Sequence, residues 1–254
     1  MDRPSERFHF PIISLDEMKK VSLMRRVDTK YVLTQEQLWP VLEELGDAYY
    51  VQETDGEQWL PYYTLYYDTP DCAMFFDHQR GRPNRRKVRV RCYVSSGQAF
   101  LEVKKKSGNG RTKKKRVPVP DAAYDIRQED DFIGQHCQYP SAKLEKKLEN
   151  RFLRCTLVGK NMDERVTIDT NLCFHNLKND ARVNLDDLVV VELKTAGHVY
   201  SRMREVLNDH LLRTSAFSKY CMAMVLTDNE IKHNRFKMRL HMLSRRIPAV
   251  KRYY

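Results

Sequence analysis

Cations recur at two-residue spacing along three consecutive segments of strand length, residues 87–93, 100–106 and 111–116. Turn signals rich in Ser and Gly divide these segments, a pattern that predicts an antiparallel meander. Lys87, Arg89 and Arg91 share one face of the first segment, because successive side chains of a strand point to opposite sides. Arg offers a planar fork to phosphate oxygens, and Lys offers a mobile point charge. The pattern therefore favours the positioning and charge neutralisation of phosphate groups, which phosphoryl transfer requires.

Cations and carboxylates at two-residue spacing recur elsewhere, in residues 26–30, 164–169 and 190–194, with apolar residues mainly between them. Like charges directly opposite one another on neighbouring strands destabilise a sheet. If all these strands present cations to a common face, that face needs a compensating anion. A barrel whose polar interior holds a polyanion would supply it. The alternative is that each charged face is solvated while its apolar face is buried.

Carboxylates on the charged faces could bind a metal ion or orient the neighbouring cations. Glu192 lies two residues before Lys194, and such a carboxylate can anchor a hard cation that bridges phosphate oxygens. Glu102 and Asp169 could orient cations or assist the metal ion.

Lys219 begins a predicted helix, where a lysine and a helix N-terminus together favour an anion. The alternative for Lys219 is a side chain that extends into solvent.

Composition limits the functional classes. The 254 residues can form one large domain or two small ones, and their net charge of +11 indicates an acidic partner: nucleic acid, an anionic membrane or a phosphate-rich substrate. No apolar run reaches the roughly 18 residues of a membrane span, and no secretory signal is evident. The six cysteines lie far apart without a CxxC pair, which argues against a disulfide framework or zinc site. We therefore expect a reduced, cytoplasmic protein.

Helices and further strands surround the charged segments. Thr34 and Gln37 fit a capping box for a helix that ends at Gly46. The spacing of Leu144, Leu148 and Phe152 predicts a helix over residues 141–154. The remaining predicted elements are strands at 62–68, 154–158, 164–174 and 188–195, and helices at 72–79, 201–212 and 218–226. Residues 1–24 form a lead-in that could pack outside a barrel.

The C-terminal segment is strongly basic. Residues 231–254 contain eight Lys or Arg residues and no acidic residue. This composition predicts either a basic amphipathic tail for a membrane or polyanion, or a solvated, loosely docked C-terminus.

The order of these motifs resembles the VTC domain, the polyphosphate polymerase domain of the vacuolar transporter chaperone, in the triphosphate tunnel metalloenzyme (CYTH-like) superfamily. The resemblance covers about residues 20 to 227. Its motifs are Arg-x-Asp-x-Lys-Tyr (26–31), Tyr-Tyr-Asp-Thr-Pro (66–70), Lys-Val-Arg-Val-Arg (87–91), Leu-Glu-Val-Lys (101–104), Lys-Lys-Arg (114–116), Glu-Arg-Val-Thr-Ile-Asp (164–169), Val-Glu-Leu-Lys (191–194) and Phe-Ser-Lys-Tyr (217–220).

The resemblance implies an α+β fold: an antiparallel β-barrel tunnel of about eight strands with helices packed outside, spanning residues 1–229 and followed by a basic tail, 230–254. It implies that the terminal phosphate of ATP passes to a polyphosphate chain in a metal-dependent reaction, with Mn²⁺ or Mg²⁺ bound by Glu192. The residues implied to hold phosphates are Lys30, Arg89, Arg91, Lys104, Arg165, Lys194 and Lys219. In the third strand of the meander, the phosphate-binding cation that the resemblance implies is Lys115, and Lys113, on the same face, is the second choice.

One departure bears on the reaction. Other branches of the superfamily begin with Glu-x-Glu-x-Lys, whereas this chain has Arg26, Asp28 and Lys30 at those positions. The replacement of a carboxylate by a cation favours the polymerase-like branch over a two-metal triphosphatase or a cyclase.

Three other functions stay open: a triphosphatase in the same tunnel, a non-catalytic polyphosphate or nucleotide sensor, and nucleic-acid binding through residues 104–116 and the tail. A Gly-containing turn interrupts that basic run, and similar charges recur on remote strands, so no nucleic acid is expected. The expected partners are ATP and polyphosphate or triphosphate. The tail is the candidate for peripheral contact with a membrane or a partner chain.

Overall fold

The computed structural model describes residues 10–19, 26–108, 112–197 and 199–253. The strands within these ranges are Ile12–Ile13 (β1), Arg26–Thr34 (β2), Tyr49–Gln52 (β3), Leu60–Asp68 (β4), Arg86–Tyr93 (β5), Gln98–Lys106 (β6), Thr112–Val119 (β7), Glu145–Gly159 (β8), Glu164–Asn176 (β9), Arg182–Leu185 (β10) and Leu188–Ala196 (β11). The α-helices are Leu15–Lys19 (α1), Gln35–Leu45 (α2), Ala73–Gln79 (α3), Asp130–His136 (α4), Arg202–Asp209 (α5), Lys219–Thr227 (α6), Asn234–Arg246 (α7) and Pro248–Lys251 (α8).

Eight strands form the main path of one sheet, in the order β2-β11-β9-β8-β4-β5-β6-β7. The three short strands lie off this path: β1 pairs with β3 in parallel, β3 pairs with β8, and β10 pairs with β9. The prediction of an α+β fold built on an antiparallel sheet of about eight strands is confirmed. The pairings within the described residues leave this path open between β2 and β7, rather than closing it into a ring.

The chain divides into two compact units. The first comprises residues 1–61, 152–172 and 185–217, and the second comprises residues 62–151, 173–184 and 218–254. Strands β4, β8, β9 and β10 each contribute residues to both units. Each unit has its own apolar core.

The core of the first unit lies on one face of β2, β9 and β11. Strand alternation places Tyr31, Val191 and Ile168 on this face, where they pack with buried residues of α2 and α5. Helix α2 begins with the predicted capping box: Thr34 Oγ1 accepts from Gln37 N at 3.2 Å, and Gln37 Oε1 accepts from Thr34 N at 3.0 Å. The apolar face of these strands is therefore covered, and their other face carries charge.

In the second unit the apolar faces of β4, β5 and β6 pack against α3 and α4. The buried residues of this core include Leu65, Val88, Leu101, Met74 and Ile133. The predicted meander is confirmed, because β5 pairs with β6 and β6 pairs with β7, both antiparallel.

A buried carboxylate, Asp68, connects α3 and α6. Its Oδ1 accepts from Met74 N at 2.9 Å, and its Oδ2 accepts from Phe75 N at 2.9 Å and from the Tyr220 hydroxyl at 2.6 Å. The contacts with Met74 and Phe75 satisfy backbone N–H donors that the start of α3 would otherwise leave unpaired. The Tyr220 ring also stacks on Tyr66, with centroids 5.2 Å apart. The motifs at 66–70 and 217–220 thus hold the start of α6 in place.

The helix predicted over residues 141–154 is wrong. Residues 141–143 form a short 3-10 turn, and the long strand β8 begins at Glu145. The four-residue spacing of Leu148 and Phe152 misled the prediction because four is also a multiple of the two-residue period of a strand. Both side chains are buried, with Asn150 between them also buried.

The strands predicted at 62–68, 164–174 and 188–195 correspond to β4, β9 and β11 within a few residues, and the predicted helices correspond to α3, α5 and α6. The strand predicted at 154–158 is only the C-terminal part of β8. Most of the predicted lead-in, residues 1–9 and 20–24, lies outside the described residues. None of the described helices is long and apolar enough to cross a bilayer.

The interpretation of a loosely docked C-terminus is wrong, because α7 packs firmly in the second unit. Phe236, which is 3% exposed, stacks on Phe75 with centroids 5.9 Å apart. Arg235 Nη1 donates to Arg80 O at 2.7 Å. Leu240 and Leu243 are buried as well. A domain boundary at residue 229 stays a prediction.

Replacing Tyr220 with Phe tests the link through Asp68. The variant deprives a buried charged acceptor of one hydrogen bond, so the free energy of unfolding should fall by about 1–3 kcal/mol. Urea unfolding followed by circular dichroism measures this. Tyr200→Phe is the matched control: it also loses a tyrosine–carboxylate hydrogen bond, to Glu205, but Tyr200 is 71% exposed and its loss should leave stability unchanged. Equal stability of the two variants would contradict the role given to Asp68.

Candidate active site

In the first unit, Glu192 on β11 is the centre of a group of charged side chains. Its Oε1 contacts Lys30 Nζ, and its Oε2 lies 3.2 Å from Lys194 Nζ. Lys30 is the register partner of Glu192 on β2, and Arg165 on β9 is the register partner of Lys194. We call Lys30, Arg165, Thr167, Glu192 and Lys194 the Glu192 cluster.

The Glu192 cluster contains three cationic side chains and one carboxylate, an excess of positive charge that would favour an added anion. Burial lowers the pKa of Lys194, and the neighbouring Glu192 carboxylate opposes that shift. Thr167 lies directly opposite Glu192 on β9 and is 4% exposed. Its Oγ1 is buried and has no hydrogen-bond partner within the described part of the chain. Since a buried hydroxyl normally finds a partner, Thr167 marks a place that a ligand oxygen could fill.

A second ion pair, between Arg154 and Asp169, lies in the same unit. Arg154 Nε donates to Asp169 Oδ1 at 2.6 Å, and Nη2 donates to Oδ2 at 2.8 Å. Both side chains are largely buried. This bidentate contact fixes the orientation of the guanidinium plane. Sequence reasoning missed Arg154 because it placed residue 154 at the junction of a predicted helix and strand.

In the second unit the corresponding group surrounds Glu102 on β6, which is 1% exposed. Arg89 Nε and Nη2 donate to Glu102 Oε2 at 2.8 and 2.5 Å, and Lys114 Nζ donates to Oε1 at 3.0 Å. Strands β5, β6 and β7 contain four, three and four Lys or Arg residues, and Glu102 is the single carboxylate among them. We call Arg89, Arg91, Glu102, Lys104 and Lys114 the Glu102 cluster.

Burial acts to raise the pKa of Glu102, but Arg89, Arg91 and Lys114 outweigh it and hold that pKa well below its ordinary value of 4.5. For Arg89, burial opposes the charged form, and Glu102 more than compensates, so the guanidinium stays protonated. The Glu102 carboxylate is therefore ionised at any physiological pH, and it neutralises only a small part of the surrounding positive charge.

The predicted position of Lys115 on the charged face is wrong. In the β6–β7 register Lys104 is opposite Lys114 and Val103 is opposite Lys115, so Lys115 shares the face of the apolar residues and is exposed. Lys113 lies on that same face, as expected from its spacing. A one-residue change of register moves every side chain of a strand to the other face, and the sequence of the turn did not fix the register.

Two further cations extend the Glu102 cluster within the second unit. Lys87 is the register partner of Lys104, and its Nζ donates to Ser218 Oγ at 2.8 Å. Ser218 caps α6, and Lys219 is the first residue of that helix, as predicted. Lys87, Lys104 and Lys114 therefore stand side by side across three strands. Such a row is unfavourable unless anions lie close to it.

The structure thus distributes the predicted site residues over two clusters. Lys30, Arg165, Glu192 and Lys194 belong to the Glu192 cluster. Arg89, Arg91 and Lys104 belong to the Glu102 cluster, and Lys219 lies beside Ser218, which Lys87 contacts. The sequence did not single out Lys114 or Arg154 as site residues.

The donor set for a metal ion is small. No group of three His, Cys, Asp or Glu side chains that could hold a metal occurs in the described ranges. Glu192 is the predicted ligand, and both its oxygens contact lysine ammonium groups. A Mg²⁺-like ion is usually held by one or two carboxylates together with substrate phosphates and water. Glu192 could therefore contribute only one ligand to such an ion, and phosphate and water would have to supply the others.

The model of the VTC domain family matches residues 25–227 of this chain. No curated protein matches the sequence. The fold is similar to that of a candidate adenylate cyclase from Bacillus halodurans, with a TM-score of 0.50 and 11% identity, over 77% of this chain and 96% of that one. It is also similar to a candidate adenylyl cyclase from Hippeastrum with a dominant triphosphatase activity, with a TM-score of 0.50 and 11% identity, over 82% and 99% of the two chains.

Replacing Glu102 with Gln tests the charge balance of the second cluster. The variant leaves Arg89 without its ionic partner, and we expect the free energy of unfolding at neutral pH to fall by about 3 kcal/mol. Because the folded-state pKa of Glu102 is depressed, its contribution is complete above pH 4.5 and is lost as the pH falls below that value. The stability difference between wild type and variant, measured by urea unfolding, should therefore shrink in acid. A difference that is independent of pH would refute this account.

Proposed function

Because the chain belongs to the VTC domain family, we propose that it is an ATP-dependent polyphosphate polymerase that requires Mn²⁺ or Mg²⁺. In this reaction a terminal oxygen of a polyphosphate chain attacks the γ-phosphorus of ATP. A new P–O–P bond forms, the bond to the β-phosphate oxygen breaks, and ADP leaves. The polyphosphate grows by one phosphate in each turnover.

The charge of the β5–β6–β7 ribbon is the observation that supports this proposal most strongly. Three paired strands carry four, three and four cations, and Glu102 is the single carboxylate among them. The row formed by Lys87, Lys104 and Lys114 adds like-charge repulsion that a chain of phosphates would relieve. A polyanion of repeating phosphate groups matches repeating cations better than a single phosphate does.

In the second unit, Arg89, Arg91, Lys104 and Lys219 are proposed to bind phosphate oxygens, and Lys114 takes the role first given to Lys115. In the first unit, Lys30, Arg165 and Lys194 are proposed to bind phosphate oxygens. Phosphoryl transfer needs positioned positive charge more than a covalent nucleophile, and these residues supply it. Glu192 would hold the metal ion, which neutralises charge on the phosphates when bound.

Lys30 and Lys194 keep Glu192 neutralised until substrate arrives. When phosphates enter, the two ammonium groups can turn from the carboxylate to the phosphate oxygens, because lysine side chains are long and mobile. The Thr167 hydroxyl, opposite Glu192, is placed to donate to a phosphate oxygen. The Glu192 carboxylate that the two ammonium groups leave would then hold the metal ion, so no charge would be left unpaired.

A triphosphatase is the second candidate, favoured by the triphosphatase activity of the Hippeastrum protein of similar fold. The two reactions share phosphate binding and differ in the acceptor, which is water in the triphosphatase. We favour the polymerase because Arg26 stands where triphosphatase branches carry a carboxylate.

Product length decides between these candidates. Purified protein incubated with ATP and Mn²⁺ should produce chains much longer than three phosphates, visible on a gel stained for polyphosphate. Orthophosphate without longer chains would identify a triphosphatase. Neither product, combined with tight tripolyphosphate binding, would identify a sensor. Tighter binding to duplex DNA than to tripolyphosphate at matched salt would contradict a phosphate-polymer function altogether.

Glu192→Gln tests the metal-binding carboxylate. We expect turnover to fall by at least about 100-fold, since the ion that neutralises the transferred phosphate loses its ligand, while tripolyphosphate binding in metal-free buffer persists. Steady-state kinetics and titration calorimetry measure the two quantities. Glu57→Gln, at an exposed carboxylate of the same unit, is the control and should retain activity. Full activity in Glu192→Gln would rule out this role.

Lys114→Gln and Lys115→Gln form a matched pair on adjacent residues that face opposite ways. Lys114→Gln should weaken tripolyphosphate binding by about tenfold, less than the loss of a fully buried donor because Lys114 is partly exposed. Lys115→Gln should bind nearly as well as wild type. Calorimetry at fixed ionic strength measures both constants. The reverse order would mean that phosphates bind the other face of the hairpin.

A further inference from the structure

Helix α7 lies beyond the residues that the VTC family model matches, and it exposes two methionines one turn apart. Met238 is 71% exposed and Met242 is 59% exposed. The opposite side of the helix is fully used in packing, since Phe236, Leu240 and Leu243 are buried. The two methionines therefore form a separate apolar strip that the protein core does not require.

Cations flank this strip on both sides. Residues three or four apart in a helix lie in one row. One row beside the methionines contains the exposed cations Lys237 and Arg245, with His241 between them, and the row on the other side contains Arg235, Arg239 and Arg246. Residues 231–254 contain no Asp or Glu, so the segment supplies no compensating charge of its own.

The helix is held rigidly in this orientation. Phe236 stacks on Phe75, and Arg235 donates to the carbonyl oxygens of Gln79 and Arg80 at the end of α3. Arg239 packs over the Phe236 ring, with its guanidinium carbon 5.4 Å from the centroid. A partner would therefore meet a surface that is already formed, without an ordering cost on binding.

We propose that this face of α7 docks peripherally on an anionic lipid bilayer. Met238 and Met242 enter the boundary between headgroups and acyl chains, and the flanking cations contact anionic headgroups. Charge complementarity alone would also suit a soluble polyanion such as polyphosphate. The methionine strip decides in favour of the bilayer, because a soluble polyanion would leave both apolar side chains in water.

Sedimentation of the full chain with lipid vesicles tests the proposal. Binding to vesicles of phosphatidylcholine and phosphatidylserine should be at least about tenfold tighter than to phosphatidylcholine alone, and should weaken as salt increases. The double variant Met238→Gln/Met242→Gln should bind the anionic vesicles about tenfold more weakly, since it removes only the apolar contact. Lys237→Gln/Arg245→Gln should weaken the same binding through charge.

Two control variants match these changes elsewhere on the surface. Leu211→Gln removes an apolar side chain that is 82% exposed, and Lys143→Gln/Lys146→Gln removes two exposed cations. Both should bind anionic vesicles as wild type does. Circular dichroism and activity towards ATP should be unchanged in the α7 variants, because none of their residues belongs to either charged cluster. The vesicle result therefore stands independently of the proposed polymerase reaction.

Equal binding of wild type to neutral and anionic vesicles would overturn the proposal. So would undiminished binding of the methionine variant to anionic vesicles. If only the cation variant lost binding to anionic vesicles, insertion of Met238 and Met242 into the bilayer would be ruled out, and the face would be a purely ionic surface that suits free polyphosphate as well as lipid headgroups.

Discussion

One buried carboxylate, Glu102, is the single acidic residue on the three paired strands β5, β6 and β7, and the buried guanidinium of Arg89 depends on it for charge compensation. The strands place cations next to cations across their register, as in the row of Lys87, Lys104 and Lys114. Salt in the solvent screens such repulsion at exposed positions but much less where side chains are buried. Arg89 is mostly buried, so its charge must be met by the protein itself. The cations whose repulsion the folded ribbon must accommodate are therefore the same side chains that are proposed to bind phosphates.

The Glu192 cluster uses a similar arrangement on different strands. Glu192 is shared between Lys30 and Lys194, and the two lysines come from positions more than 160 residues apart in the chain. A carboxylate shared in this way prevents the cations from repelling one another in the absence of ligand. It also leaves each lysine with an alternative partner when an anion binds. Such exchangeable pairing stores no strain and requires only rotation of long side chains.

Local patterns predicted most of the fold. The capping box at Thr34, the cap at Ser218 and the alternation of Lys87, Arg89 and Arg91 each follow from a few adjacent residues, and all three are confirmed. Strand β8 was mistaken in part for a helix, because apolar residues four apart satisfy both periods. Its order comes from pairing with strands that are distant in sequence, which no local pattern contains.

The charged faces were predicted and several of their contacts were not. The choice between Lys114 and Lys115 depends on the register across a turn, and the pairing of Arg154 with Asp169 depends on two strands lying side by side. The docking of α7 was missed for a different reason. Its basic composition concealed three buried apolar residues at helical spacing, Phe236, Leu240 and Leu243.

The unpartnered hydroxyl of Thr167 has a consequence for how this position should be understood. A valine would occupy nearly the same space there and would spare the protein the cost of desolvating an oxygen that bonds to nothing else in the described structure. Packing alone thus gives no reason for threonine beside Glu192. An anion bound beside Glu192 would give this oxygen a hydrogen-bond partner, so binding would recover stability that a buried, unpartnered hydroxyl costs the described structure.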